Sequence, residues 1–111
     1  MGGRIASLVA DDVEVAGVIC LGYPFHPTAK PDQLRTEHLK SIRTPTLIVQ
    51  GERDPFGSRR EVARYKLSKQ VRFHWLPDGD HSFKPRKASG RTEEENWAEG
   101  IDAIACFVTS N

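Results

Sequence analysis

The sequence has little of what marks a specialised scaffold. Its 2 cysteines, at positions 20 and 106, are too few for a disulfide framework or a cysteine-rich metal site, and a single bridge between them is the most that is open. Aromatic residues make up 8% and are scattered, which excludes a base-stacking platform. Charge of either sign is balanced, with 16 Lys+Arg against 15 Asp+Glu, so nothing equips the chain to grip a phosphate backbone and nucleic acid is not an expected partner. No apolar run approaches the roughly 20 residues of a membrane span, and Met1-Gly2-Gly3-Arg4 lacks the apolar stretch of a signal peptide. A soluble, cytoplasmic protein without a membrane partner is expected.

What is present suits an ordinary core. A single domain over residues 1–111 is expected, and a chain of this length buries roughly two-thirds of the surface it exposes when unfolded. Both cysteines sit in apolar runs, Val18-Ile19-Cys20-Leu21 and Ile104-Ala105-Cys106-Phe107, the setting of buried, reduced thiols.

Periodicity sets out the elements. Residues 3–13 carry Ile5, Leu8, Val9 and Val13 near one helical stripe. Residues 16–21 and 45–50 are short, almost wholly apolar runs ended by Gly22 and Gly51, which predicts strands buried on both faces. Residues 71–76 alternate, with Arg72 and His74 opposite Val71, Phe73 and Trp75, as in a strand nearer the sheet edge. Between them, helices are predicted over 31–42 and over 58–67, the latter headed by the capping box Ser58-Arg59-Arg60-Glu61. A second box, Thr92-Glu93-Glu94-Glu95, heads a long helix with Trp97, Ile101, Ile104, Ala105 and Val108 on one apolar stripe. The order helix, strand, helix, strand, helix, strand, helix implies an α/β fold of three parallel strands with helices on both faces.

In such a fold ligands bind beyond the carboxyl ends of the strands, so three loops matter. They are Gly22-Tyr23-Pro24-Phe25-His26-Pro27, Gly51-Glu52-Arg53-Asp54-Pro55-Phe56-Gly57 and Pro77-Asp78-Gly79-Asp80-His81-Ser82-Phe83. The second offers a carboxylate in a proline turn and the third a histidine. Side by side they form the pair that holds an imidazole in the tautomer for general-base work.

Those segments resemble a known family. Leu47-Ile48-Val49-Gln50-Gly51-Glu52-Arg53-Asp54, a helix, a strand, then Leu76-Pro77-Asp78-Gly79-Asp80-His81 are similar to the acid and histidine segments of the α/β-hydrolase fold, whose order is Ser, acid, His with the Ser on a G-x-S-x-G elbow. The resemblance implies a partial α/β-hydrolase fold running from the post-nucleophile helix through the final helix, with Asp54 as triad acid and His81 as base. Met1-Gly2-Gly3-Arg4 resembles the second half of the elbow, which implies a nucleophilic Ser one position before Met1 and makes Met1 and Gly2 the remnant of elbow and oxyanion hole. A complete member attacks an ester, lactone or related acyl bond in a small-molecule substrate and needs no cofactor. The isolated chain is then expected to be inactive. Within the family the sequence is similar to uncharacterised bacterial hydrolases that resemble dienelactone hydrolases and to testis-expressed hydrolase-like proteins.

Simpler accounts stand beside these. Asp54 before Pro55 is also a plain turn residue, and His81 also a loop histidine held by Asp78 or Asp80. Tyr23 and Phe25 are pocket wall or core. His26 lines the substrate pocket or is a surface loop histidine, and a metal site on His26, Asp78, Asp80 and His81 lacks any known ligand spacing, so no metal is expected. Lys84, Arg86, Lys87 and Arg91 read as a solvated basic loop. A non-catalytic remnant is the alternative function: an apolar first strand with an open edge invites pairing with a second copy, giving a homo-oligomer.

Overall fold

A computed structural model describes residues 16–30 and 32–110. The predicted helix at 3–13 and the residues Met1 and Gly2 lie outside them. Three parallel strands, β1 (Val18–Leu21), β2 (Thr46–Gly51) and β3 (Val71–Leu76), form one sheet in the order β1-β2-β3. Val18 pairs with Thr46 and Leu21 with Val49; Thr46 pairs with Val71 and Gly51 with Leu76. The three strand ends therefore lie in one row along a single edge.

Side-chain alternation divides the core. From the central strand, buried along its whole length, Ile48 points to one face and Leu47 and Val49 to the other. The first face collects Val18, Cys20, Tyr23, Phe25, Leu39, Ile42 and Val62, with Val71, Phe73 and Trp75 packed alongside. Both inter-strand connections cross it. They contribute a 3₁₀ turn (Glu37–Lys40) and the short helix α1 (Arg59–Val62). The second face is covered by the long helix α2 (Glu93–Ser110), whose Phe107 packs with Leu47, Val49, Leu76 and Phe83. The predicted class, parallel strands with helices on both faces, is what the chain adopts.

The local predictions differ in three places. Of the helix predicted over 31–42, the described residues 32–42 supply only the 3₁₀ turn, because backbone groups a helix would use are engaged elsewhere: Arg35 N–H donates to Phe25 C=O, Arg35 C=O accepts from the Tyr23 hydroxyl at 2.7 Å, and Leu39 C=O accepts from Ser68 N–H. The helix predicted over 58–67 stops early. Its capping box forms in full, but past Val62 the chain turns inward, where Tyr65 and Leu67 pack on the core and the Ser68 hydroxyl donates to Ile42 C=O.

The third difference concerns α2, whose Thr92–Glu95 box also forms. Its sheet-facing side is Asn96, Gly100 and Phe107, so the predicted stripe sits largely outward, with Trp97, Ile101 and Val108 exposed. The same rotation exposes Cys106, against expectation. Cys20 is buried as expected, and burial pushes its thiol up to about 11. Among the described residues no helix is long and apolar enough to cross a membrane.

Candidate active site

The row of strand ends carries the three loops. After β2 the chain makes a tight turn in which Asp54 N–H donates to Gly51 C=O and Gly57 N–H to Asp54 C=O, both at 3.1 Å. This points the Asp54 side chain inward, where it is fully buried and both oxygens are used: Oδ1 accepts from Phe56 N–H at 2.8 Å, and Oδ2 lies 2.7 Å from His81 Nδ1. Burial pushes the Asp54 carboxyl up, opposed by its bonds to His81 and Phe56 and by the His81 charge. A carboxylate only accepts, so Nδ1 carries the proton, and in the neutral form of the ring Nε2 is then the acceptor. The His81 side chain is 43% exposed, and among the described residues Nε2 has no partner. A buried acid behind a half-open imidazole is the geometry of an oriented general base.

The first loop closes the other side. Gly22 has φ +72°, and a Cβ there would stand 3.1 Å from His81 Cε1, so a bare backbone lets the imidazole sit against the end of β1. The Phe56 ring lies 4.6 Å from the His81 ring. Gln50, fully buried at the end of β2, holds this arrangement together: its Oε1 accepts from Tyr23 N–H at 2.7 Å, and its Nε2 donates to Tyr23 C=O and to Gly57 C=O at 3.1 and 3.0 Å. One side chain thus ties the first loop to the acid turn. His26 N–H adds a bond to Phe56 C=O.

Tyr23, Phe25 and His26 lie inside the core rather than along an open wall. Tyr23 and Phe25 pack ring to ring at 4.6 Å, and His26 is only 2% exposed. The His26 ring has Nδ1 2.8 Å from Pro27 C=O and Nε2 3.0 Å from Glu61, the same carboxylate that completes the α1 capping box. Partial burial raises the Glu61 carboxyl, but the Ser58 backbone bond and the His26 ring outweigh it and hold it below its ordinary value. His26 is thus neither a surface histidine nor grouped with Asp78 and Asp80. Among the described residues no three His, Cys, Asp or Glu side chains are placed to hold a metal ion.

The histidine loop is braced by charge. Asp78, in the left-handed region at φ +53°, takes the Arg86 Nη2 at 2.6 Å and its backbone N–H at 2.8 Å, with Arg53 Nε 3.2 Å away. Glu52 accepts from Asp78 N–H, and Asp80 Oδ1 accepts from both Ser82 and Lys84 N–H. Arg86 and Arg91 are therefore anchored rather than merely solvated, Arg91 reaching Glu99 at 2.6 Å. The Arg86 bonds, side chain first, bring the Asp78 carboxyl down to about 2.

That depression has a pH consequence. A carboxyl lowered on folding contributes stability above its unfolded value of about 4 and loses it as pH falls toward about 2. Asp78→Asn is expected to lower the melting temperature at pH 7 and to flatten its decline between pH 4 and 2; parallel wild-type and variant curves would contradict this.

Gln50, Glu52, Arg53 and Asn96 were not legible as site residues. Gln50 alone carried a signal, as the one large polar side chain at the end of an apolar strand.

A parallel sheet with an Asp and a His joined above its carboxyl edge defines an α/β protein with an enzyme-like site. The chain matches the alpha/beta hydrolase domain family over residues 1–109 and belongs to it. No solved structure matches the chain.

Proposed function

We propose that the protein is a serine hydrolase for esters, lactones or related acyl bonds, with Asp54 and His81 as acid and base of its triad. The observation that carries this is the 2.7 Å contact between His81 Nδ1 and the buried Asp54 Oδ2, with Nε2 left open. In the reaction Nε2 takes the serine proton as Oγ attacks the carbonyl and then returns it to the leaving group, while Asp54 stabilises the imidazolium. The 111 residues hold no G-x-S-x-G motif, and Met1-Gly2-Gly3-Arg4 resembles the second half of one. The serine is accordingly assigned to the position before Met1, and one oxyanion donor to the Met1 amide. The sequence pattern also resembles that of dienelactone hydrolases and testis-expressed hydrolase-like proteins, which supports an acyl substrate of that kind.

A second reading, a non-catalytic module that self-associates, draws on Leu21 of the outer strand β1 and on Ile101 and Val108 of α2, each at least 51% exposed. One experiment separates the two. The 111-residue chain and a version extended upstream through a G-x-S segment are assayed on a p-nitrophenyl ester and sized by light scattering. The hydrolase reading expects turnover only in the extended chain, abolished by His81→Ala; equal rates that survive His81→Ala would sink it. A self-associating 111-residue chain with an inert extension favours the second.

A further inference from the structure

Nothing in its own turn explains why His81 stands where it does. The loop leaves β3 through two successive turns, closed by Gly79 N–H to Leu76 C=O and Phe83 N–H to Asp80 C=O, and His81 lies within the second. Its approach to Asp54 depends on where the ends of the arc are held as well as on the bonds at Asp78, Gly79 and Asp80 within it.

Both ends are held by one side chain. Asn96, fully buried on the sheet-facing side of α2, donates from Nδ2 to Pro77 C=O at 3.1 Å and to Phe83 C=O at 2.8 Å. Its Oδ1 accepts from Arg91 Nε at 2.8 Å, which fixes the orientation of the amide, because a guanidinium only donates and carbonyls only accept. Every hydrogen-bonding position of the head that faces the loop is used. A buried carboxamide in a helix facing a sheet is costly where an apolar residue would pack, unless it meets groups that would otherwise go unsatisfied.

The Phe83 end needs such a hold. Its φ of +69° lies in the left-handed region, which an aromatic side chain rarely occupies without support. Its ring is buried and meets the Trp97 ring edge-on at 4.9 Å, so two consecutive residues of α2 grip the loop two positions beyond His81.

We infer that Asn96 is a positioning residue for His81: its amide fixes both ends of the histidine loop and thereby the bond from Nδ1 to Asp54. This rests on the reading of His81 and Asp54 as a working pair. No other head group substitutes. Aspartate would present acceptors to two carbonyls, and leucine would leave both unmet.

The test reads the bond directly, as the low-field Nδ1 proton of His81 in NMR spectra and its exchange rate with water, well below the melting temperature. Asp54→Asn must alter this signal, and an unmoved signal would sink the pair and the inference together. With the pair established, Asn96→Leu and Asn96→Asp are expected to speed the exchange about tenfold or more, or to erase the signal, in chains that remain folded. Val62→Ala, a core truncation on the opposite face, should lower stability and leave the signal in place. A wild-type signal in folded Asn96→Leu would overturn the inference while sparing the pair, as would loss of the signal in Val62→Ala, which would make it a readout of stability alone. If Asn96→Leu does not fold, Arg91→Met frees the Oδ1 anchor with Asn96 still present. Faster exchange then supports the inference and an unchanged rate refutes it.

Discussion

If Asp54 and His81 act as the proposed acid and base, Asp54→Asn is expected to cut the esterase rate of the upstream-extended chain by about 10⁴-fold, the scale for losing the correct tautomer in a triad, while its melting temperature at pH 7 stays at or above that of the wild type. The two halves of this result have one cause. Asp54 is fully buried, and burial raises its carboxyl above the ordinary value despite the bonds that oppose it. A group that holds its proton more tightly folded than unfolded makes the native state less stable as pH rises through the unfolded value near 4. The deficit grows as pH rises above that unfolded value, so at neutral pH the wild type carries it. Asparagine removes the charge and keeps an oxygen for Phe56 N–H, which now stands 2.8 Å from Oδ1. What it cannot do is accept from Nδ1 while its own amide donates there, so the imidazole is driven to the tautomer with the proton on Nε2. Activity is lost without unfolding, a trade expected where a site is built at the expense of stability. Measuring kcat and the melting temperature on the same preparation checks both; a melting temperature several degrees below wild type would show that the buried carboxylate is net stabilising.

The extent to which this was legible follows from how local each feature is. Strands β1 and β2 were readable because their apolar runs end in Gly22 and Gly51, and β3 because it alternates. β2 is buried along its whole length as predicted, whereas in β1 Val18 and Cys20 are buried but Ile19 is half-buried and Leu21 is exposed, so that strand is covered on one face rather than both. The pairing of Asp54 with His81 was expected from the order strand, acid turn, strand, histidine turn together with the resemblance to the α/β-hydrolase fold, while the residues themselves left Asp78 and Asp80 open as partners of His81. The segment 31–42 failed for the opposite reason. Leu34, His38, Leu39 and Ile42 have helical spacing, yet Leu34 is exposed and His38 is taken by the Tyr23 hydroxyl at 3.1 Å, a tertiary contact that overrides the pattern. On α2 the apolar stripe was real, but hydrophobicity did not say which face meets the sheet. That face is chosen by Asn96 and by Phe107, with Gly100 between them lying over Val49 and Leu76. Asn96 was illegible as a site residue, and Gln50 stood out only as a polar end to an apolar strand, because a carboxamide has no sequence signature for what it bridges. Their partners are backbone groups, which every residue carries.

Gly51→Ala is expected to cost about 3 kcal/mol or more and to lower the melting temperature by about 10 °C or more. Gly51 ends β2, in register with Leu76, and the acid turn begins from it. A Cβ at this position would stand 2.3 Å from both Gly79 C=O and Asp80 C=O, and these are backbone atoms that cannot swing aside as a side chain end can. Relief requires moving the histidine loop away from the acid turn. The two are also joined by Arg53 N–H to Gly79 C=O at 2.9 Å, by Asp78 N–H to the Glu52 carboxylate at 2.9 Å and by the Asp54 to His81 bond itself, so the same displacement that relieves the methyl group pulls on all three and separates Asp54 from His81. Stability and catalysis should therefore fall together here, in contrast to Asp54→Asn. Gly90→Ala is the control, since Gly90 has φ +74° but nothing within 4 Å of an added Cβ, and only the backbone strain of about 1 kcal/mol should appear. Equal losses at the two glycines would mean that conformation rather than contact governs Gly51. A much larger loss at Gly51 would establish that the spacing of the pair is set by two backbones in contact, with a hydrogen atom in place of a side chain between them.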